Sequence, residues 1–182
     1  MSHSNASVAS LVSDNLALIN EVKSELGVLD LACGRGRNGL FLLRHHIPVT
    51  FADNNESALQ EVKLASEDYP ATAQTWLVDF ELPGSEPLSG KQYDAILVFN
   101  YLHRPLMNSI LQSVKPGGLI VYETFTVDQP RFGKPTNPDF LLRDGELPKY
   151  FPHWEILSYR EGKRSDPTCA KASLVARKGG AH

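Results

Sequence analysis

Between Val28 and Gly39 the chain reads Val28-Leu29-Asp30-Leu31-Ala32-Cys33-Gly34-Arg35-Gly36-Arg37-Asn38-Gly39, an apolar run that gives way to spaced glycines. Glycine at positions 34 and 36 lets the backbone bend sharply and approach a ligand with no Cβ in the way, and a helix starting there offers unpaired N–H groups and positive potential. The chemistry that follows is the docking of an anionic or carboxylate-bearing group. The same letters spell Gly34-x-Gly36-x-x-Gly39, the dinucleotide fingerprint, so a nicotinamide cofactor is one reading of the turn and a plain tight turn is another. Asp53, closing the next apolar run, can hold the ribose hydroxyls of either kind of cofactor or simply form a turn.

A second group of reactive side chains follows the fourth apolar run, in Asn100-Tyr101-Leu102-His103-Arg104-Pro105. His103 is the candidate general base, because its ordinary titration range spans neutral pH. Tyr101 shares its location. Arg104, Arg143 and Arg164 can together present forks to a carboxylate or oxyanion, and Glu123 can orient a cationic or hydroxyl group or pair with an arginine. The competing readings are a helix cap for His103 and a solvated rim for the arginines. No metal site is expected: the histidines are scattered, and the adjacent His45 and His46 point roughly 100° apart on a helix.

Asp30 stands four residues before Gly34, giving Asp-x-Ala-x-Gly-x-Gly, which resembles motif I of the class I S-adenosylmethionine-dependent methyltransferases with Ala32 in place of the first glycine. The resemblance continues through Val78-Asp79-Phe80-Glu81, Tyr93-Asp94-Ala95-Ile96-Leu97-Val98-Phe99-Asn100 and Lys115-Pro116-Gly117-Gly118-Leu119-Ile120-Val121. It implies S-adenosylmethionine as cofactor, with Asp30 near its amino end, Asp79 at the adenine amino group and Phe80 against the ring. The cofactor-binding set it implies is Asp30, Ala32, Gly34, Arg35, Gly36, Asn38, Asp53, Asn54, Asp79, Phe80 and Asn100. In more detail the chain is similar to the tellurite-resistance type, through Leu29 to Asn38 and again through Phe140-Leu141-Leu142-Arg143-Asp144-Gly145-Glu146-Leu147. Lys163-Arg164 lies where that group carries a histidine-arginine pair thought to serve the substrate. Arg164 matches and Lys163 departs, a cation in place of a neutral base at pH 7.

The elements that must position these residues alternate between strand-length apolar runs and segments of helical period, the pattern of a largely parallel sheet. A leading helix is expected over 1–26, with Leu11, Leu16, Ile19, Val22 and Leu26 on one face. Strands are expected at 28–31, 49–52, 75–78, 95–99 and 119–123, with helices between them and Asn54 or Asn55 capping one. Two further strands, 154–159 and 172–176, are joined closely enough to form an antiparallel pair. The fold class implied is α/β, a doubly wound, mostly parallel seven-stranded sheet ending in an antiparallel hairpin. The segment 124–143, with its prolines, glycine and aromatics, is long for a structureless connection and is the candidate active-site cover.

The 182 residues suit one domain, with 42% hydrophobic and 21% charged side chains. A formal charge of −3 gives no global attraction for nucleic acid, and nothing approaches the roughly 18 apolar residues of a membrane span. The absence of a basic and apolar leader in 1–10, with two unpaired cysteines, points to a cytoplasmic protein. The leading reading is methyl transfer from S-adenosylmethionine to a small, anionic or heteroatom-bearing acceptor. The alternatives are an NAD(P)-dependent oxidoreductase using the glycine turn and an S-adenosylmethionine-binding protein without turnover. Oligomeric state is not legible.

Overall fold

The computed structural model describes residues 7–180. Strands β1 (Val28–Leu31), β2 (Val49–Asp53), β3 (Ala73–Leu77), β4 (Tyr93–Phe99), β5 (Val114–Phe125), β6 (Glu155–Arg164) and β7 (Cys169–Arg177) form one sheet. Its order is β3-β2-β1-β4-β5-β7-β6. The first five strands are parallel, and β7 runs antiparallel between β5 and β6. The doubly wound class with its antiparallel end, expected from the pattern of apolar runs, is what forms.

Every residue of β1 and β4 is buried, as central parallel strands covered on both faces must be. Alternation sends Leu29, Leu31, Ile96, Val98 and Tyr122 into a core shared with α5 (Met107–Ser113) and α6 (Glu146–Lys149). Val28, Phe51, Ala95, Leu97 and Val121 face the opposite core, with α1 (Ser10–Ser13), α2 (Leu16–Val22), α3 (Arg37–Arg44) and α4 (Glu56–Ala65). The chain passes from β1 outward to β2 and β3 and then returns to β4 on the other side of β1. The strand order therefore reverses between β1 and β4, and a crevice opens beyond their carboxyl ends.

The leading helix is corrected. Residues 1–6 of the expected span lie outside the described residues, and the rest forms two short helices broken at Asp14 and Asn15. Asn15 Nδ2 donates to the Leu11 carbonyl at 2.8 Å, the kind of local bond by which such side chains compete with a continuing helix. The second helix stops because Ser24 is held elsewhere. Its N–H and hydroxyl both donate to the buried Asp94 carboxylate at 2.6 Å, which also accepts from Gly27 N–H at 2.8 Å and pairs with Lys115 at 2.7 Å.

β5 is longer than expected because the stretch before Leu119 is tied to the end of β7 by paired backbone bonds between Gly117, Gly118 and Lys178. β6 and β7 likewise extend to a turn at 165–168. Among the described residues no helix is long and apolar enough to cross a membrane.

Asp94→Ala strands Lys115 and the amides of Ser24 and Gly27, so it is expected to destabilise the fold by about 3 kcal/mol, the lower end for breaking a buried pair because Lys115 is partly exposed. Urea unfolding reads this directly, and an unchanged midpoint contradicts the hub role.

Candidate active site

The glycine turn joins β1 to α3 at the switch point. Asp30, 3% exposed, accepts a hydrogen bond from Gly39 N–H at 2.9 Å and so fixes the first turn of α3 against the strand. A Cβ at Gly39 falls 2.4 Å from the Phe51 ring and 2.9 Å from the Asp30 carboxylate, so only glycine permits this approach. Gly34, at φ +54°, has nothing within 4 Å of its missing Cβ and leaves the backbone open to a ligand. Gly36 gives α3 no side-chain cap, and with the Gly39 amide taken by Asp30 the amides of Arg37 and Asn38 are left for an outside acceptor.

Asp53 lies across the same turn from the end of β2. Its carboxylate accepts from Gly34 N–H at 2.7 Å and from Asn55 N–H at 2.9 Å, with lone pairs left over toward the crevice. Beside it lies a cavity of about 320 Å³ lined by Ala32, Asp53, Asn54, Val78, Asp79, Phe80, Glu81, Asn100 and Tyr101. Six residues of the expected cofactor set line it, Ala32, Asp53, Asn54, Asp79, Phe80 and Asn100, and Gly34 is tied to one of them, Asp53, through its amide. Phe80 is fixed by edge contact with Trp76, and Asp79 accepts from Glu81 N–H at 2.9 Å.

Three members of the set are placed differently. Asp30 is buried beneath the turn. Arg35 reaches outward to Glu61 at 3.2 Å, both largely exposed, and Asn38 is buried with its carbonyl oxygen accepting from Ala9 N–H at 2.9 Å. The Arg35 and Asn38 side chains thus shape the surface and the α1 contact.

A second cavity of about 220 Å³ shares Glu81, Asn100 and Tyr101 with the first and is completed by Leu102, Phe125, Pro135 and Phe140. The segment 124–143 forms much of this wall, and it is not structureless. Thr126 bridges to Leu142, so its ends are pinned together, and two short 3-10 turns, Gln129–Arg131 and Pro138–Phe140, shape the span. Buried Gln129 donates to the Lys134 carbonyl and accepts from Ala170 N–H. The Tyr101 hydroxyl is buried with no hydrogen-bond partner among the described residues, and burial and the neighbouring Glu81 push its ionisation above the ordinary phenol range.

Arg104 is the fastener of this cover. Its Nε and Nη2 donate to the two oxygens of Glu146 at 2.7 and 2.9 Å, and Nη1 and Nη2 also reach the carbonyls of Asp139 and Leu141. Burial alone raises the Glu146 carboxyl, but Arg104, the Arg143 N–H and the Tyr150 hydroxyl hold it down to about 2.

The three arginines, read as one fork or as a solvated rim, have separate surroundings. Arg104 is fully engaged, the Arg143 side chain is exposed, and Arg164 donates to the Ser173 hydroxyl at 2.8 Å on the opposite face of the sheet. Glu123 faces that side too, 3.4 Å from Lys171. There a cleft of about 940 Å³ is lined by Arg37, Arg160, Arg164, Lys171 and Glu123. His103 precedes the Arg104 turn and is not among the residues lining either crevice cavity. A further cavity of about 710 Å³, with Trp76, Lys91 and Tyr93, lies at the amino ends of the strands, away from the turn.

Sequence reasoning missed Glu81, Phe125, Pro135 and Phe140 as cavity walls and Glu146 as the cover's anchor. Glu81 was visible in the Asp79-Phe80-Glu81 run, but the aromatic walls depend on how the cover folds back.

The profile of the family described as "Tellurite resistance protein TehB" matches residues 3–166. A curated relative from Haemophilus influenzae strain Rd, described as a probable S-adenosyl-L-methionine-dependent methyltransferase TehB, is 33% identical over 78% of this chain and 50% of its own length. The chain therefore spans about half the length of that relative. The crystal structure of TehB from Haemophilus influenzae superposes with a TM-score of 0.73 at 24% identity, over 94% of this chain and 62% of that one. Magnesium protoporphyrin IX methyltransferase from Synechocystis PCC 6803, solved with bound SAH, has a TM-score of 0.69 at 16% identity, over 93% of this chain and 80% of that one.

Two consequences are measurable. Burial pushes the Asp30 carboxyl up to about 7, against the pull of Gly39 N–H and Arg37. Its contribution to stability is full below an ordinary aspartate's 3.8 and is lost as pH rises through about 7. Asp30→Asn keeps an acceptor for Gly39 without the charge, so thermal melts should show a gain at pH 8 of at least about 2–4 °C, the shift given by roughly 1 kcal/mol, vanishing near pH 4. Parallel pH profiles contradict this. Arg104→Met removes charged hydrogen bonds worth about 1.5–3 kcal/mol each, so protease cleavage within 127–140 should accelerate at least several-fold. Unchanged cleavage contradicts the fastening role.

Proposed function

The chain belongs to the TehB tellurite resistance family, and we propose that it transfers the methyl group of S-adenosylmethionine to a small, heteroatom-bearing acceptor held beneath the 124–143 cover. The observation that carries this reading is the pair of contiguous cavities at the carboxyl edge of the sheet, one beside Asp53 and one under the cover, meeting at Glu81, Asn100 and Tyr101.

The residues of the first cavity suit this cofactor. Asp53, Asp79 and Glu81 are acids placed for a ligand that carries a sulfonium and an ammonium, and Ala32, Val78 and Phe80 offer an apolar bed for a purine. The uncapped start of α3 suits a carboxylate, and Asp53 the ribose hydroxyls. When bound, the cofactor supplies a methyl group already activated on sulfur. The protein's task is then to align the acceptor in line with it and keep water out, which the cover and the rigid strand ends do. Asn100 and Tyr101 form the partition between the two cavities and orient both ligands. His103 acts through position, starting the turn that presents Arg104 to the cover, and transfer proceeds without it as a base.

A second reading places an anionic acceptor in the cleft on the other face, favoured by the convergence of Arg37, Arg160, Arg164 and Lys171 there. The nicotinamide reading has only the glycine turn and Asp53 in its favour, and the family match weighs against it. The proposal includes a cytoplasmic setting, a small-molecule partner and one methyltransferase domain over 1–182.

Asp53→Ala should weaken binding of S-adenosylhomocysteine by about 1–3 kcal/mol in calorimetry, through lost charge-assisted hydrogen bonds and a loosened Gly34 turn. Unchanged affinity refutes its ribose role, and no binding by the unmodified protein refutes the cofactor.

A further inference from the structure

We propose that the acceptor is a small, flat, neutral aromatic nitrogen compound, seated among Tyr101, Phe125 and Phe140 with its nucleophilic nitrogen toward Glu81 and Asn100. This rests on the methyltransferase reading and narrows it to a substrate class.

The first argument is shape. The cavity under the cover measures about 220 Å³, and its walls are dominated by aromatic and aliphatic surface from Tyr101, Leu102, Phe125, Pro135 and Phe140. Apolar walls with a few convergent polar groups select a ligand whose body is apolar and whose polar atom is singular and oriented. Room for one or two fused rings is what the volume gives.

The second argument is charge. No lysine or arginine lines this cavity among the described residues, whereas Glu81 does, and Asp79 and Asp53 stand in the adjoining one. Arg104, nearest in sequence, gives its donors to Glu146, Asp139 and Leu141. Lys171 lies 4.7 Å from the centre of the Phe125 ring and is paired with Glu123. A thiolate or oxyanion entering here meets carboxylates with no lining cation in return among the described residues, and like charges at such range disfavour it.

A neutral nitrogen reverses the electrostatics. Its lone pair forms the new N–CH3 bond as the C–S bond breaks and that pair returns to sulfur, so the positive charge passes from the sulfonium to the acceptor. A carboxylate waiting beside the acceptor stabilises that developing charge. An acceptor with an N–H then loses the proton to water or Glu81, whereas a ring nitrogen leaves as the N-methyl cation. Aromatic nitrogens are largely unprotonated at neutral pH, so no base is required, in keeping with a cavity lined by no histidine among the described residues. An alkylamine arrives protonated and has no such route.

The test uses the full chain with S-adenosylmethionine and five probes: quinoline and aniline as neutral aromatic nitrogens, benzylamine as a protonated amine, thiophenol and tellurite as anions. Methylated product and S-adenosylhomocysteine are followed by mass spectrometry. The expected result is N-methylation of quinoline or aniline with kcat/KM at least tenfold above the other three. Phe140→Ala should then raise KM for that probe at least fivefold with S-adenosylhomocysteine affinity within twofold of the unmodified protein, and Glu81→Gln should lower kcat. Faster turnover of thiophenol or tellurite overturns the inference, as does absence of N-methylation by a protein that binds S-adenosylhomocysteine. Tellurite turnover abolished by Arg160→Ala and Arg164→Ala assigns the acceptor to the basic cleft instead. Failure to bind S-adenosylhomocysteine at all removes the methyltransferase reading on which the inference stands.

Discussion

A helix can lie against a strand at backbone distance only where no side chain stands between them, and at Gly39 that condition is met with nothing to spare. The Phe51 ring and the Asp30 carboxylate occupy the space a Cβ needs, and Asp30 holds the Gly39 amide in return. This contact sets the height of α3 over β1, and with it the position of the open turn at Gly34. Asp53 then holds the Gly34 amide from the neighbouring strand. The carboxyl edge of the sheet thus becomes a rigid shelf before any ligand arrives, and the cost is a buried acid whose ionisation folding disfavours.

On that shelf the second determinant is the cover. A segment of this length with little regular structure holds one shape only if its polar backbone is satisfied, and here one guanidinium and one carboxylate do much of that. Arg104 binds the carbonyls of Asp139 and Leu141, and Glu146 binds Arg104, the Arg143 amide and the Tyr150 hydroxyl. The consequence for function is indirect and strong. A cation that sequence alone offers to a substrate is withdrawn into the scaffold, and the cavity it helps to build is left aromatic and acidic.

The sheet was legible because buried parallel strands must be apolar, and Val28–Leu31 and Tyr93–Phe99 are apolar nearly throughout. The glycine turn and Asp53 were legible because close backbone approach restricts residue type. Element ends were less so: β5 runs past its glycines because Lys178, far along the chain, pairs with Gly117 and Gly118. The break at Asn15 depends on a side-chain bond, and the end of the second helix on Asp94 capturing Ser24, both invisible to helical periodicity. Which of Arg104, Arg143 and Arg164 the scaffold engages was not legible for the same reason, since residue type announces a charge but only the fold shows which groups consume it. Phe125 and Phe140 come together only through the cover's own folding.

The central claim is that one ligand spans the strand tips with its reactive carbon facing the cavity beneath the cover. A crystal structure of the full chain with S-adenosylhomocysteine tests it most directly. The account predicts the ribose on Asp53, the purine against Phe80, and the sulfur directed toward Tyr101 and Phe125. A sulfur directed toward Arg160 and Arg164, or a ligand lodged elsewhere than beside Gly34 and Asp53, contradicts it.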